Sequence, residues 1–199
     1  MFKNEEKTRD KIIRSALTLF MEQGIGKTSL NEVAYHAGVS RITVYRYFED
    51  KEALVLAAFL SVEEIFQNGL KQFEHQPSLP LQSVLNIIGN NLQTLPPGNA
   101  IARADELKRI YPHTYDKIQE VRQSTLNGIF NRFSESAERK NLFREGLNKE
   151  IARAVFEELI INFFDNPRFK TLALNDAELF YQISNIFLYG TLKGELESS

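Results

Sequence analysis

The chain has 199 residues, is 43% hydrophobic and carries 24 Lys and Arg against 26 Asp and Glu, a formal net charge of −2. That length and apolar content suffice to bury a core in one large or two modest domains. With no cysteine it forms neither disulfides nor thiolate metal sites, which excludes thiol redox sensing and fits a reducing cytoplasm.

Met1 to Lys11 is dense in charge and lacks the apolar segment of a secretory signal. Residues 7 to 23 are predicted to form a helix with Ile12, Ile13, Ala16, Leu17 and Phe20 on one face, stopped by Gly24. A second helix opens at Thr28, whose hydroxyl is placed to cap it, and buries Leu30, Val33, Ala34 and Ala37 at the i, i+3, i+4, i+7 spacing. Gly38 ends that helix, because without a Cβ it can take the left-handed conformation that turns the chain steeply. Val39 anchors the turn, and Ser40 caps a third helix from Arg41 to about Phe48, in which Val44 and Phe48 face the core.

Arg41, Thr43, Tyr45, Arg46 and Tyr47 of the third helix turn toward other surfaces. No Asp or Glu occurs between Val33 and Phe48, so Arg41 and Arg46 are not neutralised locally and attract phosphate. Guanidinium groups also fork onto guanine O6 and N7, and Thr43 suits a base edge. Two short helices joined by a glycine turn match a helix-turn-helix. The same pattern describes any helix pair with a solvated Arg/Tyr face, so its meaning depends on context.

Asp50 caps a further helix beginning Lys51-Glu52-Ala53-Leu54. Several matches in order, Ala16…Phe20…Gly24, Thr28-Ser29-Leu30 with Val33-Ala34, Ala37-Gly38-Val39-Ser40, Thr43-Val44-Tyr45-Arg46-Tyr47-Phe48 and Lys51-Glu52-Ala53-Leu54, resemble the DNA-binding domain of the tetracycline-repressor (TetR) family. The resemblance covers about the first 55 residues. It implies an all-α protein: an N-terminal three-helix helix-turn-helix domain (1–52), then a helical effector-binding and dimerisation domain (53–199). It further implies phosphate contacts from Thr28, Tyr45, Tyr47 and Lys51, and base contacts from Arg41, Ile42, Thr43 and Arg46, with Ser40 also at the DNA-binding surface. Ile42 suits either a thymine methyl or packing against the first helix. Tyr47 often corresponds to a histidine in relatives, which leaves its partner open.

Net charge looks unsuited to a nucleic-acid binder until it is divided. Residues 1–52 hold nine Lys and Arg against eight Asp and Glu, and the remainder holds fifteen against eighteen. So weakly basic a domain is expected to need a twin, giving a homodimer on a palindromic operator of double-stranded DNA.

Beyond residue 55 the pattern is helical throughout: 54–73, 81–95 closed by Pro96-Pro97-Gly98, 101–110, 113–139, 149–165 capped by Asn148, and 176–195 capped by Asn175, about nine helices in all. Residues 76–102 are uncharged, yet their prolines, Asn and Gln argue against a membrane span, and a cytoplasmic protein is expected. The last two helices are unusually apolar. Phe156, Ile160, Phe163, Phe164, Ile183, Ile186, Phe187 and Gly190 are the candidate dimer interface, the other reading being intramolecular core. Phe66, Leu85, Ile88, Leu92, Arg103, Leu107, Tyr111, His113, Leu126, Asn127 and Phe130 are candidates for an effector pocket, though such spacing describes a core equally well. Their composition favours an apolar or aromatic small molecule as effector.

Catalysis finds no constellation. His36, His75 and His113 are far apart, no glycine-rich phosphate loop occurs, and the pairs Glu63-Glu64 and Glu157-Glu158 point to different helix sectors. No catalytic residue, metal or cofactor is expected. The function expected is a sequence-specific transcriptional regulator, a repressor released from its operator by ligand, with activation left open. The competing classes are a helical enzyme and a protein-binding adaptor.

Overall fold

The computed structural model describes residues 2–76, 81–96, 100–161, 168, 171–172 and 174–193. Among these the chain forms α1 (Phe2–Gln23), α2 (Leu30–His36), α3 (Arg41–Tyr47), α4 (Lys51–His75), α5 (Leu81–Leu92), α6 (Ala100–Ile110), α7 (Pro112–Arg139), α8 (Lys149–Phe156), a π-helical turn (Glu157–Ile161) and α9 (Asp176–Thr191). No strand is present among the described residues, apart from an isolated antiparallel bridge between Phe143 and Leu192.

Helix boundaries follow the polar residues that cap them. Ser40 accepts the Thr43 N–H, Asp50 the Ala53 N–H, Asn148 those of Glu150 and Ile151, and Asn175 that of Glu178. Each satisfies a donor the helix cannot pair internally. The second helix departs from expectation: its N-cap is Ser29, not Thr28. Ser29 accepts the Glu32 N–H while Glu32 accepts the Ser29 N–H at 2.7 Å, a reciprocal capping box. Thr28 is instead buried, with its hydroxyl donating to the Gly24 carbonyl at 2.8 Å.

Two compact units divide the chain: residues 1–63 with 95–119, and residues 64–94 with 120–199. The division falls inside α4 and inside α7. In the first unit Ile12, Ile13, Ala16, Leu17 and Phe20 of α1 are buried with Val33, Ala34, Ala37, Val44 and Phe48, and Phe20 stacks on Phe59 of α4. In the second, Phe130 and Phe133 of α7, Phe156 of α8 and Phe187 of α9 form an aromatic cluster with centroids 5.2–6.4 Å apart. Lys51–Gln72 is apolar enough by composition to cross a membrane, but Leu54, Val55, Ala58 and Phe66 within it are packed inside the protein.

Candidate nucleic-acid interface

The candidate surface is built by one turn and one helix. At the end of α2 the Val39 N–H donates to Ala34 and the Gly38 N–H to Tyr35, with Gly38 at φ +60°, the Schellman arrangement that releases a helix sharply. Ser40 then restarts the chain as α3, its hydroxyl also meeting Thr43 Oγ1 at 2.9 Å. Val44 is the one buried residue of α3, and Phe48 closes it from beneath.

The rest of α3 is available to a partner. Arg41, Tyr45 and Arg46 are exposed, Thr43 and Tyr47 are half-buried, and Ile42 is 82% exposed, which settles its orientation outward rather than toward α1. Each guanidinium rests on an aromatic ring, Arg41 over Tyr45 and Arg46 over Tyr47, both 5.2 Å from the centroid. Arg41 also donates to the Tyr45 hydroxyl at 3.2 Å. Flat cations presented on rings suit both phosphate and the forked acceptors of guanine.

Thr28 does not stand at this surface. It is 1% exposed, and both its N–H and its hydroxyl donate to Gly24, so it shapes the turn before α2 rather than meeting a phosphate. Lys51, at the start of α4, is half-buried with Nζ 3.4 Å from the Gly26 carbonyl. Burial pulls its ammonium below the ordinary lysine range, opposed by the charges of Glu106 and Glu32.

Two contributors escaped the sequence. Tyr35 on α2 is 89% exposed, beside the turn that leads to α3. Glu106 on α6 accepts the N–H groups of Ile25 and Gly26, about 80 residues upstream. Tyr35 could have been found by subtracting the buried face of α2. No local signal marks Glu106.

The effector candidates are divided between the units. Phe66, Leu85, Ile88, Leu92, Leu126 and Phe130 are buried in the second, where the Asn127 Oδ1 is also buried without a hydrogen-bond partner. Arg103, Leu107, Tyr111 and His113 belong to the first: Arg103 is paired with Glu106, Leu107 is core and His113 is exposed. A cleft of about 610 Å³ in the second unit lies between α5 and α9, and its lining of Asn86, Asn90, Gln93, Asn175, Glu178 and Tyr181, with Gly89 and Ala177, includes none of these candidates.

The dimer candidates also separate. Phe156, Ile183 and Phe187 are 2–5% exposed and belong to the core of the second unit, so they are not surface available to a second copy. This corrects their assignment. α9 carries a polar stripe of Glu178, Gln182 and Asn185, and the aromatic cluster claims the opposite face. Ile186 is 66% exposed and Gly190 is open, with nothing within 4 Å of where a Cβ would stand. Tyr181 and Tyr189 of α9 and Ile151 and Val155 of α8 are exposed too. Ile160 lies in the π-helical turn, while Phe163 and Phe164 fall outside the described residues.

Residues 12–58 match the family model for bacterial regulatory proteins, tetR family. The chain is 37% identical over 87 residues to the probable acrEF/envCD operon repressor of Escherichia coli K12, across 42% of this chain and 39% of that protein. It thus spans about two fifths of that relative. It is 24% identical over 185 residues to the fatty acid metabolism regulator protein of Bacillus subtilis, covering 88% of this chain and 93% of that one. Its fold matches that of the fatty acid degradation regulator FadR from Bacillus halodurans, with a TM-score of 0.61, 22% identity and coverage of 96% and 97%. The helix-turn-helix geometry and the match over residues 12–58 together make the N-terminal segment of the chain similar to the DNA-binding domain of bacterial regulatory proteins of the tetR family.

Proposed function

We propose that the protein is a sequence-specific DNA-binding transcriptional regulator, a cytoplasmic repressor and not an enzyme, that leaves its operator when a small apolar or aromatic molecule binds. The observation that carries this is α3: one side chain in the core, and Arg41, Ile42, Tyr45 and Arg46 presented outward on a segment free of acidic residues. Residues 1–52 would hold DNA, and residues 53–199 would bind effector and a second copy. In this reading Lys51, Tyr45 and Tyr47 meet the backbone, Arg41, Ile42, Thr43 and Arg46 face base edges, and Thr28 and Ser40 hold the helices that present them.

Two copies would face each other across the exposed side of α9, through Ile186, Tyr189 and Gly190, and set their reading helices roughly 34–36 Å apart, one turn of DNA. Effector binding in residues 53–199 would favour a state in which that spacing is lost, relieving repression. Two relatives spanning most of the chain are named as regulators of fatty acid metabolism and degradation, which supports an effector with a long apolar portion.

The test is selection of duplexes from a random pool by the purified chain. A two-fold symmetric consensus with half-sites about ten base pairs apart is expected. Retention of no sequence above background rejects the function.

A further inference from the structure

The turn between α1 and α2 is held from two sides. The Glu106 carboxylate accepts the Ile25 N–H at 3.0 Å and the Gly26 N–H at 2.9 Å, while Lys51 Nζ donates to the Gly26 carbonyl. Arg103, one helical turn before Glu106, holds the same carboxylate at 2.6 Å. Gly24 sits beneath this pair at φ +99°, and a Cβ there would overlap the Arg103 guanidinium. Partial burial pushes the Glu106 carboxyl up, but the N–H groups of Gly26 and Ile25 and the Arg103 charge outweigh it and hold the group below its ordinary value. It is therefore ionised at neutral pH, and its bonds are charge-assisted.

Carboxylates are an improbable choice near a surface meant for phosphate, since their charge repels it. What Glu106 provides is position. We propose that Glu106 is a positioning residue for DNA binding: by fixing residues 24–26 it sets the entry of α2, and with it α3 and Lys51, in the arrangement that DNA requires. The inference rests on the DNA-binding function proposed above. A turn fixed beforehand spares the complex the entropy of ordering it on association.

The expected effect has the opposite sign to simple electrostatics. Glu106→Gln removes a negative charge, which alone would strengthen attraction to phosphate, yet its amide has one accepting oxygen where the carboxylate uses two, and no charge to pair with Arg103. Binding is measured by fluorescence anisotropy on a duplex selected by the unaltered chain and on a mixed-sequence duplex, over a range of salt. Glu106→Gln is expected to bind the selected duplex about tenfold more weakly with the slope against salt unchanged, because no phosphate contact is lost. Amide exchange at Ile25 and Gly26 is expected to accelerate. Asp116→Asn, an equal charge change at an exposed position on α7, should bind as well as the parent or better.

Equal or tighter binding by Glu106→Gln overturns the proposal, as does unchanged amide exchange or a loss accounted for entirely by the unfolded fraction. If that variant does not fold, Arg103→Gln decides, since it leaves the carboxylate but frees it: about a threefold loss is expected, and none overturns the inference. A parent chain that retains no duplex removes the DNA-binding function itself, whereas normal parent binding with an indifferent Glu106→Gln removes only this residue's role.

Discussion

α3 contributes Val44 to the core of the first unit and leaves its remaining side chains exposed or half-buried. α9 in the second unit buries Ala177, Leu179, Phe180, Ile183, Ser184, Phe187 and Leu188. The contrast separates two kinds of dependence. A helix held by caps, a glycine turn and one valine can exchange its outer residues at little cost to folding, so specificity can change there while the fold persists. A helix held by an aromatic cluster cannot.

The contrast breaks most visibly at Phe187. Phe187→Ala should destabilise the second unit by about 3–5 kcal/mol, the usual cost of removing a buried phenyl ring, and chemical denaturation measures it. Unchanged stability would mean the cluster of Phe130, Phe133, Phe156 and Phe187 is not the core it forms here. Ile186→Glu, one residue earlier but on the exposed side, should leave the monomer folded and abolish dimers in sedimentation. A dimer that survives this change moves the interface off α9.

On the other side of the comparison, Arg41→Ala should leave the melting temperature nearly unchanged while discrimination between selected and altered duplexes falls by about 1–3 kcal/mol. Lys51→Ala should instead weaken binding to all duplexes and lower the slope against salt by about one. Equal behaviour of the two variants would erase the distinction between base and phosphate contacts.

The smallest effect concerns acid. Glu106 has its carboxyl lowered from the ordinary 4.5, so its contribution to stability is complete above that value and is lost as pH falls through the lower native one. The parent chain should therefore lose more stability than Glu106→Gln between about pH 5 and pH 3. Parallel pH profiles would show that the carboxylate contributes nothing to the folded first unit.

Turn and cap residues are mostly legible in the sequence, because their chemistry acts between near neighbours. Gly38 takes the positive φ its place in the turn demanded, and Asp50, Asn148 and Asn175 cap the helices that follow them. Thr28 and Ser29 show where that resolution ends: both can cap, and the choice fell to Ser29 because Glu32 three residues on completes the box and Thr28 is drawn inward to Gly24. On α9 the polar stripe of Glu178, Gln182 and Asn185 marks the outward side, but Ile186 beside it reads as apolar and so as a candidate for the core. The rings on α7 and α8 chose, taking Phe187 and leaving Ile186. Glu106 was beyond reach, since its partners lie some 80 residues away and nothing in its own helix distinguishes it from Asp105.

Arg41 has a resting place. Its guanidinium lies on the Tyr45 ring and its Nη2 donates to the phenol oxygen, so under the proposed function a duplex would compete with an acceptor already in use. A lone phosphate replaces one such contact with another, but paired acceptors on a guanine edge provide a geometry the phenol cannot match. Under the proposed function, this idle state of the side chain would act as a filter, holding down adhesion to arbitrary DNA more than to the correct site.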